Sequence, residues 1–195
     1  MALLGESGFL SWAYLAGGSA LALQLGHRKS LDFDFFTDKN FDAEEVTNNL
    51  KKIGKYQTRE QQTKTMTGVF NNVKFSLFFY QYPLIRPAKV FSKIRLASSE
   101  DIAAMKLTAI GDRGTKKDFI DLYFMVNRLF SLDKMLEFYE EKYHLLEVNK
   151  FTLLKSLQYF EEADLAEMPK MVVPIEWKKV KSFFQGEAIR LWKSF

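Results

Sequence analysis

Two aspartates separated by one residue, inside an apolar segment, constrain this chain more than any other feature. Asp32 and Asp34 alternate with Leu31, Phe33 and Phe35. Because side chains of a β-strand point alternately to its two faces, a strand here places both carboxylates on one side and the apolar side chains in a core. Paired carboxylates on a rigid strand are the oxygen ligands that a divalent metal ion needs for phosphate chemistry.

A glycine pair precedes the aspartates by the length of a short helix. Gly17, Gly18 and Ser19 follow the apolar segment 13–16, which predicts a strand, and segment 19–25 is rich in helix-forming residues. Glycine lets a backbone approach a phosphate closely, and the start of a helix offers N–H groups to an anion. The pattern therefore predicts a phosphate-binding turn that precedes an acidic strand.

The composition predicts a globular protein with an aromatic core. The chain has 195 residues, 47% of them hydrophobic and 19 of them Phe, which suits one domain or one domain with an appendage. The absence of cysteine excludes disulfides, thiolate metal sites and a cysteine nucleophile. A net charge of +4 is compatible with nucleotide or RNA ligands. We find no signal peptide and no membrane-length apolar run, so we expect a cytoplasmic protein without a membrane partner.

Residue periodicity predicts a mixed α/β first half and a helical second half. The strand over 32–36 is followed by a helix capped by Asp42, and Asn71-Asn72 marks a hairpin turn. We expect domain 1–97 to be the α/β core and region 98–195 to be helical and to pack on it. The predicted helices are 2–12, 19–25, 43–53, 100–111, 115–129, 131–142, 149–162 and 175–193, and the further strands are 55–64, 66–70, 73–80 and 89–96.

The segment 14–36, with Ala-Gly-Gly-Ser and Asp-Phe-Asp a helix length apart, resembles the AbiEii/AbiGii toxin family of nucleotidyltransferases, in the polymerase-β-like superfamily. Residues 105–110 around Lys106 resemble the family's lysine motif, and residues 113–123 resemble its aspartate motif. The resemblance spans about residues 10–130. It implies an α+β nucleotidyltransferase fold, with a mixed sheet and flanking helices, followed by a helical C-terminal region.

The resemblance also implies roles for individual residues. Asp32 and Asp34 would hold Mg²⁺ or Mn²⁺, Lys106 would neutralise phosphate charge, and Asp118 would be the later acidic residue of the site. The triphosphate would lie on backbone N–H groups of the glycine turn. The residues expected to bind nucleotide are Gly17, Gly18, Ser19, Arg28 and Lys29, although Arg28 and Lys29 could instead counter the carboxylates.

Several assignments stay open at the level of sequence. Asp121 could support or replace Asp118, as a structural partner of Lys117 or Arg113. Many superfamily members carry a third carboxylate on a later strand, and here Ser76 occupies the expected position. The acids that could substitute from elsewhere are Glu60, Glu100 and Asp101. His27 is most simply a surface residue after the helix end.

The expected function is metal-dependent transfer of a nucleoside monophosphate from a nucleoside triphosphate to an acceptor. The family resemblance suggests an RNA end, such as that of tRNA, in a toxin–antitoxin or abortive-infection role opposed by a cognate antitoxin. One alternative is nucleotidylation of a protein or a small molecule. A second alternative is a non-catalytic nucleotide-binding relic, which the missing third acid would favour.

Overall fold

The chain divides into two units, which we call the sheet unit and the helical unit. The computed structural model describes residues 1–144 and 150–193. The mixed α/β class predicted from the sequence is confirmed, with helices and one mixed sheet in the described residues. The sheet unit comprises residues 1–20 and 30–98, and the helical unit comprises residues 21–29 and those from 99 onward. The predicted packing of the C-terminal region on the core stays a prediction.

A mixed sheet forms the centre of the sheet unit. Its strands are β1 (Tyr14–Leu15), β2 (Phe33–Thr37), β3 (Tyr56–Gln62), β4 (Thr65–Phe70), β5 (Val73–Phe79), β6 (Lys89–Phe91) and β7 (Ile94–Leu96). Among the described residues they form one seven-stranded sheet in the order β3-β4-β5-β2-β1-β7-β6. The β2–β5 and β1–β7 pairs are parallel, and the other pairs are antiparallel. The helices that begin in this unit are α1 (Ala2–Ser7), α2 (Gly17–Leu25) and α3 (Ala43–Ile53).

One face of the sheet carries the aromatic core that the composition predicted. Phe35 and Phe75 are buried and their ring centroids lie 5.7 Å apart. The helix α3 begins as predicted, because the Asp42 carboxylate accepts a hydrogen bond from the backbone N–H of Glu44 at 2.8 Å. Its buried face includes Leu50, and α3 contacts β3 and β4.

The turns explain where the predicted strands were right and wrong. Asn71 and Asn72 have φ of 46° and 64°, the left-handed pair that a two-residue hairpin needs, so the predicted hairpin is confirmed. The single strand predicted over 89–96 is instead the β6–β7 hairpin, because Ser92 and Lys93 have φ of 47° and 63°. Such φ values are uncommon for these residue types, and the sequence did not mark the turn.

Two predictions at the edges of elements are also corrected. The helix predicted over 2–12 ends as α1 at Ser7, because Gly8 adopts a left-handed φ of 68° and ends the helix. Leu31 was expected in the core, but it precedes the first residue of β2 and is 74% exposed. The alternation of faces begins only at Phe33, where the strand begins.

The helical unit is built around a buried aromatic cluster. The Phe119 ring lies 4.9 Å from Phe160 and 5.5 Å from Phe184 by centroid. The helix predicted over 149–162 is two short helices, and Asn149 lies outside the described residues. The remaining helices are α4 (Ser99–Asp112), α5 (Lys116–Arg128), α6 (Leu132–Tyr143), α7 (Lys150–Ser156), α8 (Glu161–Leu165) and α9 (Trp177–Trp192). None of the helices in the described part of the chain is long and apolar enough to span a membrane.

Candidate functional site

The glycine turn and the acidic strand meet in the sheet unit. The backbone N–H of Ala16 donates to the Asp34 carbonyl at 3.0 Å, which ties the end of β1 to β2. Gly17 then opens α2 with φ of 64°, a conformation that glycine adopts without strain. A Cβ placed on Gly17 would lie 3.6 Å from the Asp34 Oδ2 atom. The turn that the sequence proposed for phosphate binding therefore lies against the carboxylate proposed for metal binding.

The rest of the glycine turn belongs to the first turn of α2. Gly18 is partly exposed, whereas Ser19 is 4% exposed and its hydroxyl donates to the Ser30 Oγ at 3.0 Å. Because the first turn of a helix has N–H groups without intrahelical partners, the backbone rather than the Ser19 hydroxyl is suited to an anion. Asp32 is partly exposed and directly precedes β2, which begins at Phe33.

Ser76 is the immediate neighbour of Asp34 across the sheet. The parallel register of β2 and β5 pairs Asp34 with Ser76, and the antiparallel register of β4 and β5 pairs Ser76 with Thr67. Paired residues share a face, so the three side chains form one polar row. Ser76 is 1% exposed, and its Oγ has no hydrogen-bond partner among the described residues. The position at which a third carboxylate was sought thus holds an unpaired hydroxyl.

The acids considered as substitutes are engaged or distant. Glu60 pairs with Thr67 in the same row but lies three strands from Asp34, roughly 14 Å at the usual strand spacing. Asp101 belongs to the helical unit, where the Lys142 ammonium donates to it at 2.7 Å with both side chains buried. Glu100, also in that unit, accepts a hydrogen bond from Ser99. Within residues 1–144 and 150–193, no three His, Cys, Asp or Glu residues are grouped to hold a metal ion.

A second charged cluster lies inside the helical unit and centres on Asp121 of α5. The Arg28 guanidinium donates to its carboxylate through Nε at 2.6 Å and through Nη2 at 2.8 Å. His27 Nε2 bonds to the same carboxylate at 2.7 Å, and Lys106 Nζ lies 2.6 Å from Oδ2. Asp121 and His27 are fully buried and Arg28 is 4% exposed. One carboxylate therefore receives hydrogen bonds or charge from three basic side chains.

Asp118, one helical turn earlier, is joined to this cluster through Lys106. The Lys106 ammonium donates to Asp118 Oδ1 at 2.8 Å, and the Thr115 hydroxyl donates to Oδ2 at 2.6 Å. Arg113 Nε lies 3.7 Å from Oδ2, but its side chain is 66% exposed. The carboxylates of Asp118 and Asp121 thus balance the charges of two buried cations, Lys106 and Arg28.

The pKa values in the cluster follow from this pairing. Burial alone would raise the pKa of the Asp121 carboxyl, but the charge of Lys106 and the hydrogen bonds from Arg28 and His27 hold it well below its usual range. Burial would likewise raise the pKa of Asp118, and Lys106 lowers it. For Lys106, burial acts to lower the pKa, and the charges of Asp121 and Asp118 raise it above the ordinary lysine value. All three groups are therefore charged at neutral pH.

These contacts correct two expectations. Asp121 does not pair with Lys117 or Arg113, because His27, Arg28 and Lys106 surround it. His27 is fully buried rather than a surface residue. Arg28 binds the carboxylate of Asp121, and its expected contact with nucleotide stays a prediction. Lys29 is exposed, and its backbone N–H donates to the Lys170 carbonyl at 2.8 Å.

The family comparison agrees with both motif regions. The model of the family described as nucleotidyl transferase AbiEii toxin, type IV TA system, matches residues 2–96 and 82–193. The chain belongs to this family. The AbiEii chain is also 37% identical over 177 residues to the protein aq_aa25 of Aquifex aeolicus, covering 88% of this chain and 84% of that one. It is therefore a nucleotidyltransferase of a toxin–antitoxin family.

Solved structures share the fold of this AbiEii chain at low sequence identity. JHP933 from Helicobacter pylori has a TM-score of 0.60 at 17% identity, covering 99% of this chain and 88% of that one. MenT4, a nucleotidyltransferase toxin from Mycobacterium tuberculosis, has a TM-score of 0.59 at 13% identity, covering 97% and 85%. ANT(2")-Ia in complex with adenylyl-2"-tobramycin has a TM-score of 0.54 at 15% identity, covering 74% and 94%. The predicted nucleotidyltransferase fold is confirmed.

A cleft in the sheet unit lies away from the Gly17–Asp34 contact. It has a volume of about 490 Å³ and is lined by residues that include Phe9, Trp12 and Phe41, but neither Gly17 nor Asp34 lines it. Cleft volume and chemistry therefore point to different places. The Gly17–Asp34 contact is the better candidate site, because transfer of a phosphorus-containing group needs carboxylates and backbone donors close to each other.

Proposed function

We propose that this AbiEii-family protein moves a nucleoside monophosphate from a nucleoside triphosphate to an acceptor at the Gly17–Asp34 site. The observation that carries the proposal is the contact between the glycine turn and the acidic strand, with the Asp34 Oδ2 atom 3.6 Å from a Cβ position on Gly17. A donor lying on the turn would present its phosphates beside the carboxylate. The absence of a side chain at Gly17 keeps that approach open.

Backbone groups of the turn would bind the donor. The first turn of α2 begins at Gly17 and includes Gly18 and Ser19. Its N–H groups and the positive end of the helix dipole favour an anion, so the β- and γ-phosphates would lie there. Since the Ser19 hydroxyl already bonds to Ser30, we assign phosphate binding to the backbone and not to that hydroxyl.

Asp32 and Asp34 would hold Mg²⁺, or Mn²⁺ in its place. They fit such an ion in donor type, because carboxylate oxygens are its preferred protein ligands and both residues are partly exposed. A bound ion would neutralise phosphate charge and thereby favour attack at the α-phosphorus. Two carboxylates suffice, since Mg²⁺ commonly completes its coordination with substrate phosphates and water. The Ser76 hydroxyl, which is paired with Asp34 in the sheet and has no hydrogen-bond partner among the described residues, is a further polar group beside the carboxylate.

The helical unit contains a preformed cluster of charges. Lys106 is held by Asp118 and Asp121, so any contact with phosphate would be made by a cation that already has two carboxylate partners. The catalytic roles of Lys106 and Asp118 and the nucleotide contacts of Arg28 and Lys29 stay predictions. We assign Asp121 a structural role, which its complete burial supports.

The acceptor that we propose is an RNA end, such as that of tRNA. The family description, a toxin of a type IV toxin–antitoxin system, supports a toxic modification opposed by an antitoxin. A net charge of +4 is compatible with RNA. An abortive-infection role and a cytoplasmic location belong to the same proposal.

Transfer of label from nucleoside triphosphates tests this function. Each of the four triphosphates, labelled at the α-phosphate, would be incubated with the protein, Mg²⁺, and separately total RNA, total protein or small-molecule extract. We expect label in the RNA fraction, dependent on Mg²⁺ or Mn²⁺ and lost with a chelator. Label in the protein or small-molecule fraction would mean that the acceptor is a protein or a small molecule and not RNA. Binding of triphosphate without any transfer would support the non-catalytic alternative.

A further inference from the structure

A cleft with aromatic and acidic walls lies at the opposite end of β1 from the Gly17–Asp34 contact. Its volume of about 490 Å³ is within the range of sites that take organic groups. Trp12, which lines it, lies just before β1, whereas Gly17 lies just after that strand. The Thr37 hydroxyl, at the end of β2, donates to the Trp12 carbonyl at 3.4 Å. The cleft therefore lies outside the proposed transfer site, and what it binds is independent of the proposed function.

One wall of the cleft is a stripe of α3 together with the residue that caps this helix. The residues of the stripe are spaced three and four apart and so share one face of the helix. They are Asp42, Glu45, Val46 and Asn49. Asp42 Oδ1 is engaged in capping, since it accepts from the Glu44 backbone N–H at 2.8 Å. The exposed Glu45 carboxylate has no hydrogen-bond or ion-pair partner among the described residues, so it is available to a ligand.

Three aromatic rings form another part of the lining. Phe9, Trp12 and Phe41 line the cleft and each is partly exposed. The ring centroids of Trp12 and Phe41 lie 6.2 Å apart, with the two planes at 26°. Within residues 1–144 and 150–193, no lysine or arginine lies over any of these three rings. Because the face of an aromatic ring attracts cations, the lining offers these faces to a cation from outside the chain.

The charges around the cleft favour a cation over an anion. The segment 38–45 contains four acidic residues and one lysine, whereas the whole chain has a net charge of +4. Among the described residues that line the cleft, Lys39 is the only basic one. A nucleotide or an RNA backbone would bring its phosphates against Asp42 and Glu45, which repel them. The ligand that fits is a cation with a flat face.

We propose that this cleft binds the side chain of an arginine carried by a partner polypeptide. A guanidinium is planar, stacks on aromatic rings and pairs with a carboxylate through two hydrogen bonds. Here it stacks on the aromatic lining and donates to Glu45. Val46 is buried, but every other lining residue is partly or fully exposed, so the cleft is open. Free small ligands are usually enclosed, whereas an open cleft suits a side chain whose backbone stays at the surface.

The fluorescence of Trp12 reports occupancy directly, because its ring lines the cleft. Replacing Trp177 and Trp192 by Phe leaves Trp12 as the only tryptophan of the chain. A blocked Gly-Arg-Gly peptide should change the Trp12 emission saturably, with a dissociation constant of about 1 mM. The same peptide with citrulline, which has the shape of arginine without its charge, should bind about tenfold more weakly. Equal affinity for the two peptides, or no saturable change at roughly ten times that concentration, would overturn the proposal.

Two glutamates in the same turn of α3 provide a matched pair of variants. Glu45→Gln should weaken binding of the arginine peptide about tenfold, as for one lost charge-assisted hydrogen bond. Glu44 is also exposed but does not line the cleft, so Glu44→Gln should bind the peptide as the wild type does. Lys39→Gln should tighten binding, because it removes the cation that repels the guanidinium. All three variants should keep the melting temperature. Equal losses in Glu44→Gln and Glu45→Gln would mean that only the general acidity of the segment attracts the peptide, which would overturn the proposal.

Free arginine and a nucleoside monophosphate decide the class of ligand. Free arginine carries a carboxylate that Asp42 and Glu45 repel, so it should bind more weakly than the blocked peptide. Equal or tighter binding of free arginine would assign the cleft to a small molecule and overturn the partner polypeptide. Saturable binding of adenosine monophosphate, retained in Glu45→Gln, would assign it to an anion and overturn the cation. These titrations need no transfer activity, so a failure of the proposed function would leave their outcome unaffected.

Discussion

The charge cluster of the helical unit gives a strong prediction about stability. Replacing Asp121 by Asn keeps the size of the side chain but removes the carboxylate that Arg28, His27 and Lys106 share. The amide has one acceptor oxygen where the carboxylate has two, and its NH₂ group would face other donors. Arg28 and Lys106 would then be two buried cations that have lost a shared carboxylate, while Asp118 still pairs with Lys106.

The expected loss is large because the cluster is buried. Removing one partner of a buried ion pair costs about 3–5 kcal/mol, since the other charge is left without compensation. Asp121 is fully buried and its carboxylate makes three hydrogen bonds of 2.6 to 2.8 Å with Arg28 and His27. We therefore expect Asp121→Asn to lower the free energy of unfolding by about 3–5 kcal/mol, at about 2–4 °C in melting temperature for each kcal/mol.

Urea unfolding followed by tryptophan fluorescence measures the effect in the right part of the chain. Trp177 and Trp192 lie in the helical unit and Trp12 lies in the sheet unit, so Trp12→Phe isolates the signal of the helical unit. Asp133→Asn is the matched control, because this carboxylate pairs with Arg190 at the surface and should cost less than about 1 kcal/mol. A loss below about 1 kcal/mol for Asp121→Asn would refute the reasoning.

Three further predictions follow from single features of the structure. Because the pKa values of Asp118 and Asp121 are lowered, their contribution to stability should be complete above the unfolded-state value of about 3.9 and be lost as pH falls below it. Urea titrations over a pH series should show this fall, and Asp121→Asn should flatten it. Gly17→Ala should cost about 1–2 kcal/mol through its left-handed φ and weaken triphosphate binding. Gly186→Ala, in α9 with open space for a Cβ, should stabilise by up to about 1 kcal/mol, and equal melting temperatures for the two variants would contradict this account. Asn72→Gly should preserve stability while Asn72→Val costs about 1–2 kcal/mol, and a tolerated valine would exclude a left-handed turn there.

The part of the site that sequence could predict is local in the chain. Gly17 begins a short helix and Asp34 lies in the strand that follows it, so the spacing of the two residues in the sequence was enough to suggest that they meet. The Asn71–Asn72 turn and the α3 cap at Asp42 were likewise readable, because each depends on residues within a few positions.

The remaining features depend on contacts between distant residues. Asp121 is 93 residues from Arg28, and no local pattern names it as the partner of a buried His-Arg pair. The break between α7 and α8 contains no Gly or Pro, so the residue periodicity predicted one continuous helix there. The pairing of Asp34 with Ser76 depends on the register of two parallel strands, which the sheet as a whole determines.

The most direct measurement is the stoichiometry of nucleotide transfer in wild type and two aspartate variants. With α-labelled triphosphate, Mg²⁺ and total RNA, we expect one pyrophosphate released for each nucleotide incorporated by the wild type. Asp34→Asn should lose both products, whereas Asp38→Asn, an exposed aspartate just beyond β2, should retain them. Full incorporation by Asp34→Asn, or no incorporation by the wild type into any fraction, would contradict the central claim that this site transfers nucleotides.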